Sequence, residues 1–183
     1  MTPTLDELTA RIESMAPAAR AKLLAEVGKS MARHIWMPLP GPQTMAYKSQ
    51  ADVVGYGGSA GGGKSDLAIG KALMRHHEVL IMRREATQLK GILRRMEQIL
   101  GSRDGYNGQD RRWSKAGPRE VDIEFGSCPN LGDETKHQGN PHDLLVLDEA
   151  TNFLESQVNF LLGWNRTVRE GVHCQALMAF NPP

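Results

Sequence analysis

The chain is poor in cysteine and has no long apolar run, no net charge to speak of and no histidines at H-x-x-x-H spacing. Its two cysteines, Cys128 and Cys174, stand far apart with no C-x-x-C. Neither a disulfide framework nor a zinc ribbon is indicated, and a reducing cytosol fits. No apolar stretch approaches the ~20 residues that span a bilayer, and the N-terminus lacks the apolar region of a signal peptide. These absences predict a soluble, non-secreted protein with no membrane partner. With 22 Lys/Arg against 21 Asp/Glu the net charge is +1, so no global field attracts nucleic acid or membrane. The six histidines form no H-x-x-x-H pair. A metal trio of Cys128, His137 and His142 competes with ordinary surface or core histidines.

What is present is segregated. Residues 83–120 hold ten Lys/Arg and five Asp/Glu, whereas residues 121–160 hold one Lys and eight acids. At 183 residues the chain can bury a full core, and length alone suggests one domain. The N-terminal pattern adds a second piece.

Gly58-Ser59-Ala60-Gly61-Gly62-Gly63-Lys64-Ser65 follows an apolar run, 51–56, and precedes a helix-forming run. It meets G-x-x-x-x-G-K-[ST] in full. Glycines let backbone N–H groups close around phosphate oxygens, Lys64 adds a point charge, and the Ser65 hydroxyl suits Mg²⁺. The overlapping Gly55-Tyr56-Gly57-Gly58-Ser59-Ala60 also fits the dinucleotide fingerprint. That fingerprint wants an acid after the second strand, where Arg83 and Arg84 stand, and it leaves Lys64-Ser65 unexplained.

Along the chain, Thr4-Leu5-Asp6-Glu7 has the capping-box spacing, and Leu5, Leu8, Ile12 and Met15 recur at helical period. Pro17 can open a second helix whose Leu23, Leu24, Val27, Met31 and Ile35 share one face. Residues 1–36 thus read as a helical appendage to a domain over 37–183. Pro38 to Gln43 breaks the helix and reads as a linker. Gln43, shortly upstream of the loop strand, carries an amide that could read an adenine edge or simply be solvated.

Residues 64–75 read as the helix behind the loop, and 78–82 as a buried strand. Residues 87–100 carry the strongest helical period, with Gly101 as C-cap. Residues 101–118 are polar and basic (Arg103, Arg111, Arg112, Lys115) with Tyr106 and Trp113 interleaved. They read as an exposed loop, either solvated or in contact with a nucleic-acid strand. Alternation over 121–125 predicts a half-exposed edge strand.

Leu144-Leu145-Val146-Leu147-Asp148-Glu149 reads as a buried parallel strand ending in two acids. It brings Asp148 to the edge that holds the loop, where a carboxylate can share Mg²⁺ with Ser65, and makes Glu149 the candidate general base. Residues 153–169 read as mostly helical and 175–180 as a strand. Asn181 then follows, as a γ-phosphate sensor or as a turn residue before Pro182.

The order of these motifs resembles the ATPase domain of a tailed-bacteriophage terminase large subunit over about residues 36–183. GGSAGGGKS is similar to its Walker A motif, VLIMRREATQLKG to the segment after its second strand, and IEFGSCPN to a later strand. KHQGNPHDLLVLDEAT, with His137-Gln138-Gly139, looks like its approach to Walker B, and MAFNPP like its coupling motif. The resemblance implies an α/β P-loop NTPase of the additional-strand, RecA-like type, a mostly parallel sheet flanked by helices. In that class the strand over 175–180 inserts between the loop strand and the Asp148 strand.

By the same resemblance Lys64 and residues Gly58, Ser59, Ala60, Gly61, Gly62 and Gly63 bind ATP, Ser65 and Asp148 hold Mg²⁺, and Glu149 activates water. Gln43 contacts adenine and Asn181 couples hydrolysis to movement. An arginine finger would come from Arg83 or Arg84, with Arg166 and Arg169 as further candidates. The implied partners are double-stranded DNA, a homo-oligomeric ring of like chains, the portal protein and the small terminase subunit. The implied place is the host cytoplasm, transiently at the prohead portal. Terminases continue past NPP into a nuclease domain that this chain lacks, so no DNA cleavage is expected of it. A small-molecule kinase on a P-loop scaffold and a non-catalytic ATP-binding fragment are the alternatives.

Overall fold

A computed structural model describes residues 4–59 and 61–181. The chain divides into two compact units, residues 1–35 and 36–183. In the first, α1 (Leu5–Glu13) opens on the capping box read from the sequence. The Thr4 side chain accepts the Glu7 N–H, and the Glu7 carboxylate accepts the Thr4 N–H at 2.8 Å. Pro17 occupies the first turn of α2 (Pro17–Arg33), where its missing N–H costs nothing.

The second unit starts at Trp36 and runs through α3 (Pro42–Lys48), β1 (Val53–Gly57), α4 (Lys64–Arg75), β2 (Glu78–Arg83) and α5 (Leu89–Leu100). It continues through β3 (Tyr106–Asn107), β4 (Arg112–Ala116), β5 (Val121–Ser127), β6 (Leu144–Asp148), α6 (Glu155–Leu162) and β7 (Gln175–Phe180). The strands form one seven-stranded sheet in the order β1-β7-β6-β2-β5-β4-β3. The first five are parallel and the last two antiparallel. β7, last in sequence, lies between β1 and β6, as the additional-strand arrangement requires. The fold is a RecA-like α/β fold.

The apolar runs explain the middle of the sheet. Every residue of β6 is buried, as expected for a parallel strand covered on both faces. Leu80, Met82, Leu145, Leu147 and Ala176 pack with Leu161 of α6 on one face. The alternating residues Val79, Ile81, Leu144, Val146 and Leu177, all buried, point the other way. That side carries α4, which packs across β6 and β7 with Leu67, Ile69 and Leu73 fully buried. α5 ends where Gly101 adopts φ 76° and its N–H closes on Glu97.

Trp36 fixes the entry to this unit. Its indole N–H donates to Asp66 at 2.8 Å, and its ring lies so near Gly70 that a Cβ there would sit 2.1 Å from a ring carbon. Gly70→Ala should therefore cost about 1–3 kcal/mol by forcing the ring aside. Gly91→Ala on α5, which would meet nothing within 4 Å, should stabilise by about 0.5–1 kcal/mol through helix propensity. Urea melts of the two variants check the contrast.

Three sequence expectations change. Residues 101–118 are not an exposed loop, because β3 and β4 extend the sheet and Trp113 is 1% exposed. Its indole donates to the Asp104 carbonyl at 2.7 Å, and Tyr106 packs between it and Phe125. The signal was hidden by an irregularity between Trp113 and Ala116, where Lys115 takes φ 52° and breaks the alternation. β5 is consequently an inner strand, not an edge. Its half-buried Glu124 pairs with His137 at 2.8 Å, and Asp122 lies 3.9 Å from Arg112. Finally, within 153–169 only Glu155–Leu162 is α-helical; after Gly163 the chain is irregular.

Candidate functional site

All five parallel strands end on the same edge, so that edge collects the residues following Gly57, Arg83, Asp148 and Phe180. The loop 58–63 turns there between β1 and α4. Gly61 and Gly63 take φ 83° and 71°, values that tolerate a Cβ poorly. Ala60 lies outside the described residues. No side chain caps the N-terminus of α4, so its first-turn N–H groups are open to an anion, which the helix dipole also favours. The loop is tied to β7 by the Gly58 N–H, which donates to the Phe180 carbonyl at 3.2 Å. The Tyr56 hydroxyl donates to the Gly62 carbonyl at 3.3 Å.

Lys64 folds back over the loop and donates to the carbonyls of Gly58 at 2.8 Å and Ser59 at 2.7 Å. The Ser65 hydroxyl donates to Asp148 Oδ2 at 2.9 Å, joining the loop to β6 across the inserted β7. The same carboxylate oxygen accepts from Arg83 Nε at 2.9 Å and Nη2 at 2.7 Å. Asp148 is 1% exposed, and a buried carboxylate is sustained by such charge-assisted donors. The hydroxyl and carboxylate oxygens of Ser65 and Asp148 are the hard donors that Mg²⁺ prefers.

Glu149, next in sequence, sits at φ 60° and ψ 52°. A non-glycine residue in that region is unfavourable and is held there by its surroundings. Its carboxylate lies 3.5 Å from Arg83 Nη1 and accepts from Asn152 Nδ2 at 3.2 Å. The geometry turns the carboxylate out of the strand end while leaving it about one third exposed.

Gln43 belongs to α3 rather than to a linker, and it is 3% exposed. Gly41 at φ 93° and Pro42 at the first helical position start that helix. The amide bridges two backbone groups: Oε1 accepts the Leu39 N–H at 2.5 Å, and Nε2 donates to the Gly63 carbonyl at 3.0 Å. A Cβ on Gly63 would come 2.6 Å from Nε2, so the last loop glycine is needed for close approach as well as for its φ.

The four arginine candidates separate. Arg83 is in the site, on the two carboxylates of its own chain. Arg84 is tied down beside it, donating to the carbonyls of Pro129 at 3.0 Å and Asn152 at 2.9 Å and to the Gln157 amide oxygen at 3.4 Å. Arg166 lies over the Trp164 ring, and Arg169 pairs with Glu78 at the start of β2, on the opposite edge of the sheet. Asn181 follows β7 on the loop edge and is exposed.

His137 gives Nδ1 to the Glu124 pair, and that hydrogen bond holds the Glu124 carboxyl below its usual range. Burial pushes the Cys128 thiol up to about 12, and its acidic neighbours add to this. Among the described residues no group of three or more His, Cys, Asp or Glu is placed to hold a metal ion, and no helix is long and apolar enough to cross a membrane. Two site residues went unread in the sequence: Asn152, whose spacing of three from Glu149 was the available signal, and Tyr56, one residue before the end of β1.

No protein-family model matches the chain, and no curated protein matches it in sequence. Among solved structures it is similar to the large terminase of the thermophilic bacteriophage D6E, with TM-score 0.58 and 18% identity over 79% of this chain and 39% of that one. The large terminase of bacteriophage HK97 aligns with TM-score 0.52 and 13% identity over 79% and 33%. A second D6E large terminase structure, in complex with ADP, aligns with TM-score 0.51 and 16% identity over 83% and 37%. The chain thus spans between 33% and 39% of the length of the structures it matches. At these identities the likeness establishes the fold: over about four fifths of its length this chain has the RecA-like α/β fold found in large terminases.

Proposed function

We propose that this chain is the ATPase domain of a terminase large subunit, hydrolysing ATP to drive double-stranded DNA into a phage prohead. The observation that carries the reading is the Ser65–Asp148 hydrogen bond at 2.9 Å, which joins the phosphate loop to the acidic strand end with Glu149 beside it. Lys64 leaves the carbonyls of Gly58 and Ser59 for the β- and γ-phosphates. The amides of the loop and of the first turn of α4 hold the remaining oxygens. Ser65 and Asp148 are the residues that would hold Mg²⁺, which when bound neutralises charge on the phosphates.

Glu149 takes a proton from water as its oxygen attacks the γ-phosphorus, and the bond to the β-γ bridging oxygen breaks to leave ADP and phosphate. Arg83, reaching both carboxylates, orients them within one subunit. Gln43, which now bridges the Leu39 N–H and the Gly63 carbonyl, would leave that bridge to contact adenine, and Asn181 would report the γ-phosphate to β7. Arg84 is restrained by its own chain, so transition-state charge would be met from a neighbouring subunit in a homo-oligomeric ring, where Arg166 and Arg169 are the accessible candidates. The portal protein and the small terminase subunit complete the proposed assembly, in the host cytoplasm.

Phosphate release measured with and without linear duplex DNA tests this function. Hydrolysis stimulated by duplex is expected. ATP binding with no hydrolysis under either condition would point to a non-catalytic module, and transfer of the γ-phosphate to a small acceptor would point to a kinase.

A further inference from the structure

At the edge of the sheet opposite the phosphate loop, where β2 and β7 begin, a cavity of about 340 Å³ opens between the last turn of α4 and the irregular segment before β7. Lys71, Arg75, His76, His77, Arg119 and His173 line it, and no carboxylate does. The nearby cavity that borders the start of β2 differs: Glu78, Asp122 and Glu124 balance Arg112, Arg166 and Arg169 there.

The acids closest to the basic cavity, Asp143 beside His76 and Asp52 beside His173, neutralise it only in part. Asp143 is fully buried, and its oxygens accept the backbone N–H groups of His77 at 3.0 and 3.2 Å and Glu78 at 3.1 Å. Asp52 is largely exposed and pairs with His173 at 2.8 Å.

Part of the basic cluster has a structural task. Lys71 donates to the Ala46 and Tyr47 carbonyls at 3.1 and 3.4 Å, and Arg75 to the Tyr47 carbonyl at 2.9 Å. These are the last-turn carbonyls of α3, which need donors. That task uses two of three Lys71 donors and one of five on Arg75. It does not account for Arg119, whose Nη2 lies 3.0 Å from His77 Nε2. A guanidinium can only donate, so His77 Nε2 accepts and its ring proton sits on Nδ1.

Nor does it account for His76, which is 5% exposed. Its Nδ1 has no hydrogen-bond partner and lies 3.6 Å from Asp143. Burial, followed by the nearby Arg75, lowers the Lys71 ammonium to about 8. Lys71, Arg75 and Arg119 outnumber the two neighbouring carboxylates, and with no carboxylate in the lining and a buried ring nitrogen without a hydrogen bond the cavity suits an anion.

We propose that this cavity binds a phosphate-type oxyanion, with Arg119, Arg75 and Lys71 supplying the charge and His76 a further polar contact. The volume exceeds what one phosphate fills and falls in the range of organic ligand sites. Pyrophosphate or a phosphodiester therefore fits better than an isolated phosphate. This inference is independent of the function proposed for the loop.

The experiment uses the full chain carrying Lys64→Ala, so that binding at the phosphate loop is weakened. Calorimetric titration with pyrophosphate at constant ionic strength of about 0.15 M should show one site. Adding Arg119→Gln should weaken it by about tenfold or more, the loss of one charge-assisted contact, whereas Arg119→Lys should retain most of the affinity. A thermal melt without ligand establishes that each variant is folded. A short DNA duplex that displaces pyrophosphate would identify the phosphodiester backbone as the source, and failure to displace it would assign the site to small phosphates. Absence of both pyrophosphate and duplex binding in the Lys64→Ala chain, or undiminished binding after Arg119→Gln in a folded protein, would overturn the proposal.

Discussion

Glu149→Gln should leave ATP binding intact and lower turnover by about 10²–10⁴-fold, the usual contribution of a positioned general base. The amide keeps the size of the carboxylate and retains an oxygen for Asn152, so the left-handed backbone at this residue and the turn that follows are undisturbed. What disappears is a proton acceptor beside the phosphate loop. The partial loss of pairing with Arg83 is a small competing effect, because that contact is 3.5 Å long and Glu149 is about one third exposed; pairs of this kind contribute about 0–1 kcal/mol. A thermal midpoint near that of the parent, unchanged nucleotide affinity and absent phosphate release together identify chemistry as the step lost. Turnover within a few-fold of the parent would remove Glu149 from the mechanism.

The ease with which this residue was found in the sequence follows from where it sits. β6 is buried on both faces, so its sequence is a continuous aliphatic run, and the first polar residues after it must lie at the sheet edge. The phosphate loop was legible because its glycines meet backbone needs that few other residues can meet. Side-chain partnerships were not legible. Arg83 could be placed at the loop edge, but its grip on Asp148 depends on strands 65 residues apart being neighbours.

Gln43 looked like a linker residue because three prolines crowd around it. The second of the two that flank Gly41 in fact begins α3, and the amide turns inward to hold Gly63. Trp113 illustrates the same error from a different cause. One buried ring among charged residues gives no period, and the irregularity beside it erased the alternation that would have marked a strand. Local chemistry announced itself in the sequence, whereas contacts made through topology required the sheet order.

Lys64→Ala should weaken ATP binding by about 10–150-fold, the equivalent of about 1.5–3 kcal/mol for hydrogen bonds to a charged group, and abolish measurable turnover. Two effects compete in this variant. The ammonium now satisfies the carbonyls of Gly58 and Ser59, so its removal could act by loosening the loop rather than by losing phosphate contact. The surroundings decide between them: both carbonyls lie on a loop at the sheet edge where water can replace the ammonium, so little folding stability is at stake. The ligand's phosphates have no equivalent replacement for a positive charge.

Denaturant melts should therefore separate the variant from its parent by no more than about 0.5 kcal/mol, while titration with a fluorescent nucleotide shows the full loss of affinity. Comparing ATP with ADP sharpens the reading. Because the side chain reaches toward the β- and γ-phosphates, the penalty should be larger for ATP, and an equal penalty for both would place Lys64 as a support of the loop rather than a ligand of the γ-phosphate.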